Sequence, residues 1–182
     1  EGNDVFARHG VKKFPKFVKK DLPGIIGCAA SHYLLWKRCL ELNEPVLILE
    51  QDGYQIRPLP EDIEQNFTEV IKLDRCFPRG ANAKYEDCCR ECHEEKYKDY
   101  AWPPEALEKA LPKSHKAPFG LPYFRGAWSY ILKPAGAKKV TDMFEQEGWV
   151  PADKVFSIHK MDIKTTNETI FRLHPFYNED TL

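Results

Sequence analysis

The sequence lacks an excess of charge of either sign. It carries 27 basic and 28 acidic residues among 182, which gives a formal net charge of −1. Non-specific binding to nucleic acid needs a basic excess, so the composition does not support that class of function. The sequence also lacks an apolar run long enough to span a membrane, a signal peptide at its start, internal repeats and low-complexity tracts. We therefore expect neither a nucleic-acid partner nor a membrane span.

What is present is the composition of one folded domain. Apolar residues make up 42% of the chain and aromatic residues 13%, which is enough for a sizeable core at this length. After a turn marked by Gly24 and Gly27, apolar periodicity predicts a helix over residues 29–42, and the run VLIL predicts a strand at 46–49. A strand without polar alternation is covered on both faces. We predict a single α/β domain over residues 1–182, with a mostly parallel sheet flanked by helices.

The rest of the chain predicts shorter elements around one long irregular segment. Two further helices are expected at residues 61–70 and 134–146, and short strands at 70–73, 128–132, 155–158 and 169–173. A Cys-rich and Pro-rich segment at about 74–124 interrupts this pattern. We interpret it as an insertion, because irregular segments of this length inside a domain are usually functional or separately stapled.

Two carboxylates follow the predicted strand at residues 46–49. Glu50 and Asp52 are separated by one residue, and alternate side chains of a strand share a face, so both could reach one cation if the strand continues. Carboxylate oxygens suit Mg²⁺ or Mn²⁺. The alternative interpretation is two solvated acids at the start of a loop. Ligands bind at this end of the strands in open α/β sheets, which favours a site here.

The residues around these acids resemble glycosyltransferase family 25, which includes lipooligosaccharide sugar transferases and collagen galactosyltransferases. The first shared motif is G-C-x-x-S-H, here at residues 27–32, followed by a helix and a strand that ends in acids. Further matches are GAWSYIL at 126–132, PAGAKK at 134–139 and PAD at 151–153. The motifs come in the family's order, and the resemblance covers roughly residues 22–58 and 124–176.

The resemblance implies a nucleotide-diphospho-sugar transferase fold of the A type. It implies metal-dependent transfer of a sugar from a nucleotide-diphosphate sugar, most simply a UDP-sugar, to a hydroxyl of a glycan, lipooligosaccharide or protein. Glu50 and Asp52 would match the outer acids of the family's Glu-Asp-Asp signature and hold Mn²⁺ or Mg²⁺ against the donor diphosphate. Ser31 and His32 would join them at the donor. Asp153 would be the catalytic residue, acting as general base if the reaction inverts configuration.

The chain departs from the family pattern at two points. Gln51 stands where the family has the middle acid of its signature. Family members also begin with a strand carrying an I-N-L-x-R-x-x-D-R type motif that contacts the nucleotide, and nothing like it precedes Pro23. Either that strand lies upstream of residue 1, or the fold lacks its first strand. The second case predicts the alternative function, a catalytically degenerate transferase-like module that binds or interacts.

The six cysteines fall into two groups. Cys28 and Cys39 lie in or near the predicted helix, and we interpret them as small buried apolar residues. The other four lie in the insertion beside a histidine, and a structural Zn²⁺ site, disulfides and free thiols all remain open for them. This second group comprises Cys76, Cys88, Cys89, Cys92 and His93. We expect a structural role for it in each case.

Cysteine usage does not mark the chain as secreted. We expect a cytoplasmic protein, either free or peripheral to a membrane, with the secretory lumen as the alternative. The N-glycosylation pattern at residues 167–169 would matter only in that second location.

Overall fold

A computed structural model describes residues 2–14, 23–73, 127–156, 160–166 and 169–173. Within these ranges the helices are α1 (Gly2–Arg8), α2 (Pro23–Leu42) and α3 (Pro134–Gln146). The strands are β1 (Val46–Leu49), β2 (Gly53–Gln55), β3 (Val70–Lys72), β4 (Ser129–Leu132), β5 (Ile163–Thr165) and β6 (Phe171–Leu173). Single turns of 3₁₀ helix occupy Ile63–Gln65 and Ala152–Lys154. The predicted insertion and its Cys/His group lie outside the described residues.

The main sheet is mixed. Its strand order is β1-β4-β3-β5, and β4 runs antiparallel to both β1 and β3, whereas β3 and β5 are parallel. β1, β3 and β5 therefore run in one direction, and β4 lies between two of them in the opposite direction. The prediction of a mostly parallel sheet is wrong about this pairing, because a continuous apolar run reports that both faces are buried and not which way the neighbour runs. β2 and β6 form a separate antiparallel pair.

A helical layer covers one face of the main sheet. α2 packs against both α1 and α3, and the interior of this layer is rich in aromatic rings. Trp36 of α2 meets Phe144 of α3 edge to face, with ring centroids 4.9 Å apart. Phe6 of α1 stacks on Trp149 at 5.2 Å. Burial of rings of this size is the main stabilising term for the fold.

A smaller core lies on the opposite face of the sheet. Ile71 of β3 and Ile131 of β4 point into it and meet Ile63, Phe67 and Ile170. Successive strand residues alternate between faces, so both sides of β4 are buried, as the apolar sequence of residues 128–132 indicates. The described part of the chain contains no helix long and apolar enough to cross a membrane.

Helix α2 is longer than its periodicity predicts. It begins at Pro23, a residue well suited to the first turn of a helix because it has no N–H to leave unpaired. Gly24 and Gly27 lie inside this helix, so the predicted turn there is wrong. Ile26 is 5% exposed and belongs to the main core. The burial of Ile26 stabilises this first part of α2, although Gly24 and Gly27 on either side of it have low helix propensity.

The remaining predictions have mixed outcomes. Helix α3 and strands β1, β3, β4 and β6 are confirmed within a residue or two. The predicted helix over 61–70 is wrong, since only the 3₁₀ turn at Ile63–Gln65 forms there. The predicted strand at 155–158 is absent at residues 155 and 156, the part of it that the structure describes. β2, β5 and the first helix, α1, were not predicted.

The PAGAKK segment anchors α3 to the sheet. A Cβ added at Gly136 would lie 2.5 Å from the carbonyl oxygen of Glu69, so the helix approaches that backbone more closely than any other residue permits. The Lys139 ammonium lies 2.6 Å from Oε1 of Glu69, and the Asp162 N–H donates to Oε2 at 2.8 Å. The described contacts of this segment are therefore structural.

Candidate functional site

The candidate site lies where β1 ends against the N-terminal half of α2. Cys28 and His32 are four residues apart on α2 and so share one face of the helix. Glu50 follows β1 directly, and its N–H donates to the carbonyl of Trp128 at 2.8 Å. Pairing of β1 with β4 places Tyr130 opposite Ile48 on the face that α2 covers. Two strands and one helix thus meet at Glu50.

A continuous chain of hydrogen bonds runs from the core to Glu50. The Trp36 indole N–H donates to the hydroxyl of Tyr130 at 2.8 Å. That hydroxyl lies 2.7 Å from Nδ1 of His32, and Nε2 of His32 lies 3.0 Å from Oε1 of Glu50. Tyr130 and Trp36 are fully buried and His32 is 3% exposed. Bonds in such a dry environment hold the carboxylate firmly.

Glu50 is kept ionised by its surroundings. Burial on its own raises the pKa of this carboxyl, but the interactions with His32 and the Cys28 thiol and the charge of Lys72 together lower it below the ordinary value. Lys72 is fully buried in β3, with its ammonium 5.5 Å from the centroid of the Trp128 ring. A buried positive charge therefore accompanies the carboxylate.

Asp52 is placed by a turn and not by the strand. β1 ends at Leu49, and the Gly53 N–H donates to the Glu50 carbonyl at 3.0 Å to close a tight turn. The strand therefore does not continue to Asp52, and the alternation expected of a continuing strand does not apply to Glu50 and Asp52. Burial and the charge of Glu50 raise the pKa of Asp52, which indicates that the two acids interact. Oδ1 of Asp52 is buried and has no hydrogen-bond partner among the described residues.

The electrostatic environment of Cys28 includes a third carboxylate, that of Asp153. Its thiol donates to Oε1 of Glu50 at 3.6 Å. Burial raises the pKa of this thiol to about 12, and the charges of Glu50, Asp153 and Asp52 add to the effect. Asp153 comes from the 3₁₀ turn Ala152–Lys154, which packs against α2. The charges of Glu50, Asp52 and Asp153 therefore all act on the Cys28 thiol, while the contacts with distances are those of Glu50 with Cys28 and His32.

The chain matches the model of a known protein family. The family described as glycosyltransferase family 25 (LPS biosynthesis protein) matches residues 16–156. The chain belongs to glycosyltransferase family 25. A search among curated proteins found no match. The matched range of this family 25 domain contains every residue of the site described above, and the resemblance drawn from the sequence is confirmed.

The described part of the family 25 domain contains a further group of side chains that could hold a metal ion. A thiol sulfur, an imidazole nitrogen and a carboxylate oxygen, from Cys28, His32 and Glu50, all lie within 4.8 Å of one another. This donor set mixes sulfur, nitrogen and oxygen, which suits Zn²⁺ better than Mg²⁺. The predicted pair of Glu50 and Asp52 offers oxygen alone, the donor set of Mg²⁺ and Mn²⁺.

The sequence predictions for this site had different outcomes. Ser31 is exposed on α2, and no hydrogen bond within the described ranges joins it to the group around Glu50. Cys28 is not a buried apolar residue, since it is exposed as a residue and its thiol faces carboxylates. The same interpretation is confirmed for Cys39, which is buried.

Sequence reasoning missed three residues of the site. Tyr130 was noted only as part of the strand motif shared with the family, Lys72 was not noticed, and Cys28 was interpreted as a buried apolar residue. A lone lysine within the run VIKL was a usable signal, because a charge in a strand covered on both faces needs a partner. The four-residue spacing of Cys28 and His32 was a second signal, since it places both side chains on one helical face.

Proposed function

We propose that this family 25 domain is a metal-dependent glycosyltransferase, which moves a sugar from a nucleotide-diphosphate sugar to a hydroxyl of a glycan, lipooligosaccharide or protein. The observation that carries the proposal is the buried Oδ1 of Asp52, which has no hydrogen-bond partner within the described ranges and whose carboxyl interacts with the ionised carboxylate of Glu50. Two neighbouring acids with an unsatisfied oxygen are an unfavourable arrangement on their own. A divalent cation between them and a diphosphate would make it favourable.

Each acid of the cluster has a role in this proposal. Glu50 and Asp52 would hold Mn²⁺ or Mg²⁺, which when bound offsets the negative charge that develops on the departing nucleotide diphosphate. Glu50 already accepts the bonds from His32 and Cys28 at Oε1, so Oε2 is the atom from which it would reach a ligand. Asp153 would accept the proton of the attacking hydroxyl if the reaction inverts configuration.

Single substitutions of the two acids test the proposal. Glu50→Ala and Asp52→Ala should each abolish Mn²⁺-dependent turnover of a UDP-sugar. Asp142→Ala is the matched control, because it removes a carboxylate that pairs with Lys138 on α3 and lies outside the site. Turnover that survives in Glu50→Ala or Asp52→Ala at the level of the control contradicts the assignment.

The second candidate is a degenerate module that keeps the fold without the reaction. It is favoured by the hydrogen bonds of Glu50, since Oε1 is satisfied by His32 and Cys28 with no ligand present. The exposed position of Gln51 in the turn favours catalysis instead, because the missing middle acid is not part of the buried cluster. Calorimetry with UDP in the presence and absence of Mn²⁺ separates the two candidates. Metal-dependent binding of UDP supports the transferase, and its absence supports the module.

A further inference from the structure

The hydroxyl of Tyr130 fixes where the protons of the buried chain lie. Among the described residues, two polar groups contact this hydroxyl, the indole N–H of Trp36 at 2.8 Å and Nδ1 of His32 at 2.7 Å. The indole can only donate, so it uses a lone pair of the Tyr130 oxygen. The hydroxyl proton then needs an acceptor, because Tyr130 is fully buried and an unpaired O–H there is strongly unfavourable. In the part of the chain that the structure describes, Nδ1 of His32 is the acceptor within reach.

This assignment decides the tautomer of His32. If Nδ1 accepts a hydrogen bond, it carries no proton, and the proton of the neutral ring is on Nε2. Nε2 lies 3.0 Å from Oε1 of Glu50, a carboxylate that can only accept when ionised. Every donor in the series then meets an acceptor: Trp36 to Tyr130, Tyr130 to His32, and His32 to Glu50. The opposite tautomer would put an N–H against the Tyr130 oxygen and leave a lone pair of Nε2 against a carboxylate.

We propose that His32 is a positioning residue, which Tyr130 holds in the Nε2–H form so that it donates to Oε1 of Glu50 and leaves Oε2 for the ligand. The functional part of this proposal rests on the transferase assignment, since it is there that Glu50 acts. The proton on Nε2 also occupies the lone pair that a metal would need. The group of Cys28, His32 and Glu50 is therefore a hydrogen-bonded support for the carboxylate and not a metal centre, although its atoms lie close enough to be one.

Nitrogen NMR of the whole chain tests the tautomer without any substitution. With ¹⁵N-labelled histidine and no nucleotide sugar present, His32 should show one protonated nitrogen, Nε2, and one unprotonated nitrogen, Nδ1, at neutral pH. A ring protonated at Nδ1, alone or together with Nε2, overturns the proposal. Because no donor is present, this result is independent of whether the chain transfers sugar.

Removal of one hydroxyl then tests the part played by Tyr130. Tyr130→Phe should increase exchange of the His32 Nε2 proton with water by roughly tenfold, since the ring loses one of its two fixed partners. The matched control is Tyr33→Phe, which also removes the hydroxyl of a buried tyrosine, here one that donates to Glu145 of α3 at 2.8 Å. Equal exchange in the two variants means that Tyr130 does not hold the ring, which contradicts the proposal.

Cobalt tests the exclusion of metal from the thiol and imidazole. Co²⁺ added to the full chain should give no sulfur-to-metal charge-transfer absorption that depends on Cys28. Such a band in the unmodified protein, lost in Cys28→Ser, shows that the group of Cys28, His32 and Glu50 binds metal and overturns the proposal. Its absence supports the hydrogen-bonded assignment. Transferase activity is measured separately, so failure of the function leaves the tautomer result standing.

Discussion

Gly136→Ala should destabilise the protein although alanine is the better helix former. The new Cβ would lie 2.5 Å from the carbonyl oxygen of Glu69 and 2.9 Å from its carbonyl carbon. This carbonyl cannot easily retreat, because it accepts from the Lys133 N–H at 2.9 Å and the Glu69 side chain is held by Lys139 and the Asp162 N–H. The helix or the strand end must therefore shift.

The magnitude follows from two opposing effects. Forcing a methyl group into a filled space destabilises by about 1–3 kcal/mol, and the gain in helix propensity from glycine to alanine offsets at most about 1 kcal/mol of that. We expect a net loss of about 1–2 kcal/mol in the free energy of unfolding, because the clash is with backbone and not with a flexible side chain. In a chain of this length that corresponds to a fall in Tm of roughly 2–8 °C.

Gly27→Ala is the matched control within the same fold. It also replaces a helical glycine, but a Cβ there meets no atom within 4 Å. It should raise the free energy of unfolding by about 0.5–1 kcal/mol through helix propensity and the unfolded chain. Denaturant unfolding followed by circular dichroism measures both variants. If Gly136→Ala stabilised the protein as Gly27→Ala does, α3 would not approach Glu69 as closely as described.

Three further predictions concern the site. Asp52→Asn should raise the free energy of unfolding at pH 7, because the raised pKa of Asp52 means that folding disfavours its charged form; a lower free energy of unfolding in denaturant would contradict this. The same substitution should abolish Mn²⁺-dependent binding of UDP. The surroundings of Glu50 lower its pKa below the ordinary value of 4.5, so its stabilising contribution is complete above that ordinary value and is lost as the pH falls through the lowered one. Glu50→Gln should therefore lose stability less steeply in acid, and an unchanged slope would refute the link. Because burial raises the pKa of Cys28 to about 12, its thiol should react with iodoacetamide at pH 8 far more slowly than a free thiol. Rapid labelling of Cys28, located by mass spectrometry, would show that the thiol is not held against Glu50.

The sequence predicted the elements whose signals are local. Helix α3 has Pro134 in its first turn and a clear apolar periodicity, and both features act within the segment itself. The predicted helix over 61–70 failed for a related reason. Ile63, Phe67 and Val70 have helical spacing, but in the structure Ile63 and Phe67 enter the small core while Val70 enters the main core. Helical spacing can thus arise from side chains that enter two different cores.

The site was predictable only in part because it is assembled from distant segments. His32 and Glu50 lie within one motif of the sequence, and their proximity follows from a helix that leads into a strand. Tyr130 and Lys72 reach the site only through the register of β4 against β1 and β3. That register depends on the order and direction of the strands, which apolar patterns do not report.

The pairing of β3 with β4 has a consequence for how this domain can vary. The Leu73 N–H donates to the Ser129 carbonyl at 3.2 Å, so the two points where the chain leaves and re-enters the sheet are fastened side by side. The entropy of closing a loop between fixed ends rises only by about 0.6 kcal/mol for each doubling of its length. The entropic cost of joining Leu73 to Ser129 therefore depends only weakly on the number of residues between them. A change in the length of this connection, which ends beside Trp128 and Glu50, would thus add little to the closure entropy that opposes the pairing of β3 with β4.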